Sequence, residues 1–180
     1  RYDGVRDFLA SRDITLPEGE PSDPTSAETV CGLGNRKNDF FAAALAAEGV
    51  EPYPGSVTLL DHLELVGTKI AVVSSSRNAP AVLEAAGLAD RFEVVVDGQV
   101  SADAGLPGKP APDTYLEGAR RLGVDPERAV VFEDAVSGVA AGHAGCFGLV
   151  VGVDRGVGAD KLTDAGADRV VTDLAELAEH

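Results

Sequence analysis

The feature that most constrains this chain is an alternation. From residue 56 onward, continuous runs rich in Val, Ile and Leu recur at Lys69–Val73, Phe92–Val96, Ala129–Phe132, Phe147–Val153 and Arg169–Val171, with helix-like stretches between them. Runs without polar interruption suit strands buried on both faces, and strands alternating with helices build a parallel sheet covered on both sides. The pattern predicts an α/β fold, a doubly wound Rossmann-like parallel sheet. Helical stretches end at Gly67, Gly87 and Gly123, and two open on prolines suited to a first turn, Pro80 and Pro112.

The first fifty residues have a different texture, with helices and loops but no strand. Val5, Phe8 and Leu9 follow helical spacing, with Asp3 as the expected N-cap. Pro17–Thr25 is a Pro/Glu/Ser-rich connector, and Phe41, Ala44 and Leu45 mark a second helix closed by Gly49. The domains expected are therefore a small helical one at 1–52 and an α/β core at 53–180.

Net charge excludes some partners. With 15 Lys and Arg against 30 Asp and Glu, the chain carries −15. Phosphate backbones and anionic membranes are bound by basic patches, so no nucleic-acid and no membrane partner is expected. No apolar run approaches the roughly 20 residues of a membrane span. Cys31 and Cys146 are far apart and lack metal-like spacing, which fits two free thiols in a reducing cytoplasm. A monomer or weak dimer is expected. The chain has no Met and opens at Arg1, so it reads as part of a longer translated protein.

In open parallel sheets, ligands bind at the carboxyl ends of strands. Three such places are chemically loaded. Ile70–Val73 runs into Ser74-Ser75-Ser76-Arg77-Asn78, where hydroxyls, a guanidinium, an amide and backbone N–H groups could hold an oxyanion. The same residues also suit a helix cap beside a solvated Arg. Val130–Phe132 runs into Glu133-Asp134, two adjacent carboxylates that repel unless a cation lies between them, the setting Mg²⁺ favours. The alternative there is that Asp134 caps the next helix while Glu133 faces solvent. Between these segments, Gly105–Pro112 holds Lys109, one of only four lysines, in a stiff loop suited to placing a charge on a phosphoryl oxygen. A merely solvated Lys is the bland reading.

The order Ser, Lys, Glu-Asp, each at its own strand end or loop, resembles the haloacid dehalogenase-like superfamily. Ile70–Asn78 (IAVVSSSRN), Gly108–Asp113 (GKPAPD) and Val130–Gly138 (VVFEDAVSG) resemble its β-phosphoglucomutase-like branch, and Gly32–Asn38 (GLGNRKN) is similar to the cap-domain loop that brings an Arg onto the substrate. The resemblance implies that residues 1–52 are part of a helical cap. It also implies that Ser74 and the Ser75 backbone hold the transferring phosphoryl group, that Lys109 neutralises it, and that Asp134 ligates Mg²⁺ with Glu133 ligating or orienting. Arg36, Ser76, Arg77 and Asn78 would grip the second phosphate of a sugar bisphosphate. The implied reaction interconverts β-glucose 1-phosphate and glucose 6-phosphate through an aspartyl-phosphate. A phosphatase of the same fold and an inactive phosphate-binding fragment are the alternatives.

One motif of the family is absent. Its Asp-x-Asp after an apolar strand supplies nucleophile and general acid/base, and no such segment occurs here. Asp3 and Asp97 imitate it without the spacing. The resemblance therefore implies a missing central strand, lying between those that end at Ser74 and Asp134, and an inactive fragment without it. His62, His143 and His180 are scattered and read as structural, Arg120-Arg121 as a solvated helix face, and Asp125 and Asp154 as loop residues.

Overall fold

The computed structural model describes residues 1–178, so His180 lies outside the described residues. The chain divides into two compact units, Arg1–Val50 and Glu51–His180.

The first unit is built on two helices, α1 (Tyr2–Ala10) and α2 (Val30–Glu48). Val5 and Leu9, four apart on α1, bury their side chains against Val30 of α2, with Tyr2, Leu16 and Leu33 around them. Asp3 does not cap α1, which begins one residue before it; the carboxylate pairs instead with Arg6 in the first turn. The segment Gly32–Asn38, expected as a loop, lies inside α2. Thr29 starts that helix early by accepting the Gly32 N–H at 2.9 Å, and the buried Val30 and Cys31 anchor its first turn. Helical periodicity therefore outweighs the two glycines.

The second unit is the α/β body. Its elements in order are α3 (Pro54–Leu65), β1 (Ala71–Val73), α4 (Ala79–Ala85), β2 (Val94–Val96), α5 (Gly98–Asp103), α6 (Asp113–Leu122), β3 (Val130–Glu133), α7 (Val136–Ala144), β4 (Leu149–Val153), α8 (Ala159–Asp164) and β5 (Arg169–Val171). All strand pairs among the described residues are parallel, but they form two hydrogen-bonded sheets, β1-β2 and β3-β4-β5. β1 and β3 do not pair with each other.

The main core lies where α6, α7 and α8 meet β3 and β4. Val131, Val139, Val150 and Leu162 are buried there, with Tyr115 from α6, and Val73 of β1 packs against the same cluster. Burying each such aliphatic side chain stabilises the fold by about 1.5–3 kcal/mol. α6 packs against β1 and β2, both of one sheet, and reaches the other sheet through Tyr115 in the shared core. Gly123 ends α6 with φ +67° and ψ 39°, a left-handed conformation that strains any residue with a Cβ.

Along α6, Glu117 accepts hydrogen bonds from Arg120 at 2.7 and 2.8 Å and from Arg121 at 2.6 Å. The two arginines expected on a solvated face are thus ion-paired. Hydrogen bonds from Arg120 and then Arg121 hold the Glu117 carboxyl down at about 2, against 4.5 ordinarily. A carboxyl whose folded value lies lower contributes stability above its ordinary range and loses it as pH falls toward the folded value. Unfolding of the parent should therefore grow easier from about pH 4.5 down to about 2, and Glu117→Gln should flatten that slope in acid titrations followed by circular dichroism. Parallel slopes would assign the acid sensitivity elsewhere.

Candidate active site

Lys109 joins the ends of two strands. Its ammonium donates to the Val73 carbonyl at 3.3 Å, at the carboxyl end of β1, and to Glu133 Oε2 at 2.7 Å, at the carboxyl end of β3. The Lys109 and Glu133 side chains are only 11% and 13% exposed, so the charges compensate each other in a poorly solvated place. The sequence reading had no third member, yet one is present. Tyr115, in the first turn of α6, donates its hydroxyl to Glu133 Oε2 at 2.5 Å and accepts from Lys109 at 2.9 Å. The ammonium also sits 4.4 Å from the centre of the Tyr115 ring.

Glu133 is therefore fully engaged. Its Oε2 accepts from Lys109 and Tyr115, and its Oε1 accepts the Ala135 N–H at 3.1 Å. Burial works against its charge, but the Lys109 ammonium and these hydrogen bonds outweigh burial and hold the carboxyl below its ordinary range. Burial, followed by the charge of Glu133, pushes the Tyr115 hydroxyl far upward, so it stays protonated and a donor. Gly138 in α7 makes room for this arrangement, because a Cβ there would overlap the Glu133 carboxyl group.

Asp134 behaves differently. Successive residues at a strand end face opposite ways, and Asp134 is exposed where Glu133 turns inward. It does not cap α7, whose N-cap is Ala135 without a side-chain bond. Of the two carboxylates expected at a metal, Asp134 is the exposed one, and Glu133 is engaged by Lys109, Tyr115 and Ala135. No cluster of three or more His, Cys, Asp or Glu side chains poised for a metal exists among the described residues. Mg²⁺ commonly takes one or two carboxylates and completes its shell with waters and substrate oxygens, so Asp134 fits as one ligand.

The loop after β1 is largely self-contained. Ser74 N–H donates to the Val96 carbonyl of β2 at 2.9 Å, Ser74 Oγ accepts from Ser76 N–H at 3.2 Å, and Ser76 Oγ accepts from Asn78 N–H at 3.1 Å. These hydroxyls order the turn into α4, and their own O–H groups remain as donors. Ser75 and Arg77 are exposed, and the Ser75 carbonyl and the Arg77 stem lie against Gly98 at the end of β2. Strand pairing thus puts Arg77 on the β2 side of Ser74, whereas Lys109 and Glu133 lie on the β3 side. Arg36 belongs to the first unit, where it pairs with Glu28 at 3.2 Å. Asp97 is buried, and its carboxylate caps α5 through Gln99 and Val100 N–H. A larger cleft of about 400 Å³, lined by Asp125, Glu127, Arg128 and Cys146, precedes β3 and β4 and so opens at the amino ends of the strands. That is the edge where open parallel sheets do not bind ligands.

With this geometry in place, comparison with known proteins is direct. Residues 1–145 match the family model described as haloacid dehalogenase-like hydrolase. A β-phosphoglucomutase of Mycobacterium bovis is 52% identical over 181 residues, spanning 98% of this chain and 69% of that protein. A crystal structure of β-phosphoglucomutase from Clostridium difficile superposes with a TM-score of 0.80 at 24% identity, over 98% of this chain and 72% of that one. A haloacid dehalogenase family hydrolase from Deinococcus radiodurans, solved with bound phosphate and sodium, gives a TM-score of 0.71 at 34% identity, over 98% and 73%. The chain belongs to the haloacid dehalogenase-like hydrolase superfamily. Within it, its place is in the β-phosphoglucomutase-like branch.

Proposed function

We propose that these residues form the charge-neutralising half of a site for phosphoryl transfer on a sugar phosphate, acting as a β-phosphoglucomutase. The observation that carries this reading is the Lys109 ammonium, held between the ends of β1 and β3 by Val73, Tyr115 and Glu133. Three partners keep that charge in one place and occupy its three donors, so an incoming phosphoryl oxygen would take the place of the longest contact, the one to the Val73 carbonyl at 3.3 Å. Ser74 follows Val73, whose carbonyl holds that ammonium, and offers a hydroxyl donor at the same strand end. Mg²⁺ on Asp134, when bound, would draw negative charge from the same phosphoryl group. The Mycobacterium bovis relative supports the mutase reading through its name and its likeness along nearly the whole chain. Placement of Arg77 on the β2 side supports a second reading, a phosphatase with a single phosphate grip.

A coupled assay separates the two in a protein where an Asp-x-Asp strand precedes these 180 residues. A mutase should convert β-glucose 1-phosphate to glucose 6-phosphate only when glucose 1,6-bisphosphate is supplied. Arg77→Ala and Arg36→Ala should each lower that conversion by roughly tenfold to a hundredfold, the cost of one charge-assisted contact, while sparing hydrolysis of a simple monophosphate. Equal losses on both substrates, or phosphate release indifferent to the bisphosphate, would favour the phosphatase. The 180 residues alone should be silent in this assay. Mg²⁺-dependent turnover by a protein whose mass matches Arg1–His180 would place the nucleophile among them.

A further inference from the structure

We propose that Arg155 is an anion-binding group of this site, taking an acidic group of the substrate on the β4 side. The proposal rests on the phosphoryl-transfer reading above and adds a residue that neither the motifs nor the strand-end survey singled out.

Arg155 lies two residues past the end of β4, at the same carboxyl edge as Glu133 and Asp134. It is held from two directions. The guanidinium carbon lies 3.3 Å from the centre of the Tyr53 ring, and Nη2 donates to Ser56 Oγ at 3.3 Å. Both partners belong to the start of α3, so the Arg is clamped by a neighbouring element and not by its own loop. Its backbone is fixed as well. Asp154 Oδ1 accepts the N–H groups of Gly156 and Gly158, each at 2.9 Å, which closes the turn around Arg155.

Such a clamp needs a reason. Among the described residues, five of the eleven arginines are ion-paired: Arg6, Arg36, Arg91, Arg120 and Arg121. Arg155 forms no ion pair with any described residue. Stacking covers one face of the guanidinium and Ser56 takes one donor, which leaves several N–H groups in a fixed fork. Arg155 lines a cleft of about 200 Å³ together with Phe132, Glu133, Asp134, Val153 and Leu174. Whole small-molecule sites usually start near about 300 Å³, so this cleft suits one group of a ligand whose remainder lies elsewhere along the edge. A planar fork of donors beside an available carboxylate selects an anionic oxygen group, above all one that also meets a cation on Asp134. The chemical class is a phosphate ester whose phosphate or second anionic group reaches from Lys109 toward β4. Arg155 therefore supplies on the β4 side what Arg77 offers on the β2 side.

Binding tests this on the chain as it stands, by isothermal titration or NMR with Mg²⁺ present, using glucose 1,6-bisphosphate and inorganic phosphate as probes. Arg155→Gln should weaken the bisphosphate by roughly tenfold to a hundredfold, the cost of a charge-assisted contact, without lowering the thermal midpoint. Arg155→Lys keeps the charge but loses the fork; it should give a smaller loss, and it carries the test if the Gln variant unfolds. Lys109→Met is the control for the underlying reading and should weaken both probes. Unchanged bisphosphate binding in both Arg155 variants, with binding lost in Lys109→Met, would make Arg155 a strut for α3 and overturn the proposal alone. No binding by the parent chain, or binding indifferent to Lys109 and Arg155 alike, would overturn both.

Discussion

Lys109→Met should destabilise the protein by about 3–5 kcal/mol, which in a chain of this size lowers the thermal midpoint by roughly 10 °C. The cause is the partner left behind. Glu133 would keep its bonds from Tyr115 and Ala135, but its charge would stand uncompensated in a site where only 13% of the side chain meets solvent. Burial, now unopposed by the ammonium, would then raise its pKa instead of lowering it. That gives the loss a characteristic pH dependence. In the parent, a lowered Glu133 contributes stability above its ordinary range and loses it as pH falls. In the variant the penalty is largest near neutrality and shrinks as acid protonates the carboxyl. Urea unfolding at neutral and mildly acidic pH measures both effects. Lys109→Met combined with Glu133→Gln should recover most of the loss, since Gln carries no charge, its one oxygen can still accept the Ala135 N–H and its amide N–H can donate to the Tyr115 hydroxyl. A single-variant loss under about 1 kcal/mol would mean that water already compensates Glu133.

Gly138→Ala should also fail, against the local expectation. Alanine is the better helix former by about 1 kcal/mol, so a helix-propensity argument predicts a gain in α7. The added Cβ would overlap the Glu133 carboxyl group, however, and that group is tied on three sides by Lys109, Tyr115 and the Ala135 N–H. A flexible surface carboxylate would swing away at little cost; this one cannot do so without breaking the cluster. A net loss of about 1–3 kcal/mol, typical of overpacking, is expected, with phosphate binding lost alongside it. Thermal denaturation and phosphate titration of the variant measure the two effects. A variant more stable than the parent would show that Glu133 has a second comfortable position.

These two residues also show what the sequence could and could not convey. Uninterrupted apolar runs placed all five strands, and turn chemistry placed the glycine that ends α6, because both signals are local. Lys109 and the Glu133-Asp134 pair were legible for a related reason: strand ends and a stiff loop announce themselves in the residues around them. The division of labour inside the acidic pair was harder, although the two-residue period of a strand already sends neighbours to opposite faces. Tyr115 went unnoticed because an aromatic in the first turn of a helix looks like core packing, and its hydroxyl meets partners 6 and 18 residues away. Arg155 was missed because its anchors lie about a hundred residues earlier. The loop expected at Gly32–Asn38 failed differently: it rested on likeness to a family cap-domain loop, whereas a capped and buried first turn draws the segment into a helix.

The separation of β1 from β3 has a mechanical consequence. Every strand pairing joins strands consecutive in the chain, so each half of the body can assemble from nearby segments with little loop-closure cost. What fastens the halves is the packing of α6 through Tyr115, the seating of Val73 in the shared core, the hold of Arg155 and Leu174–Leu177 on α3, and one ammonium grasping both strand ends. In these residues alone the boundary is a seam along which β1 and β2 can leave as one piece; the central strand that the family resemblance implies there would bridge it. In Lys109→Met, amide exchange should quicken first on those two strands while β3, β4 and β5 stay protected. Lys109, which we propose meets the phosphoryl group, then also joins the two parts of the fold.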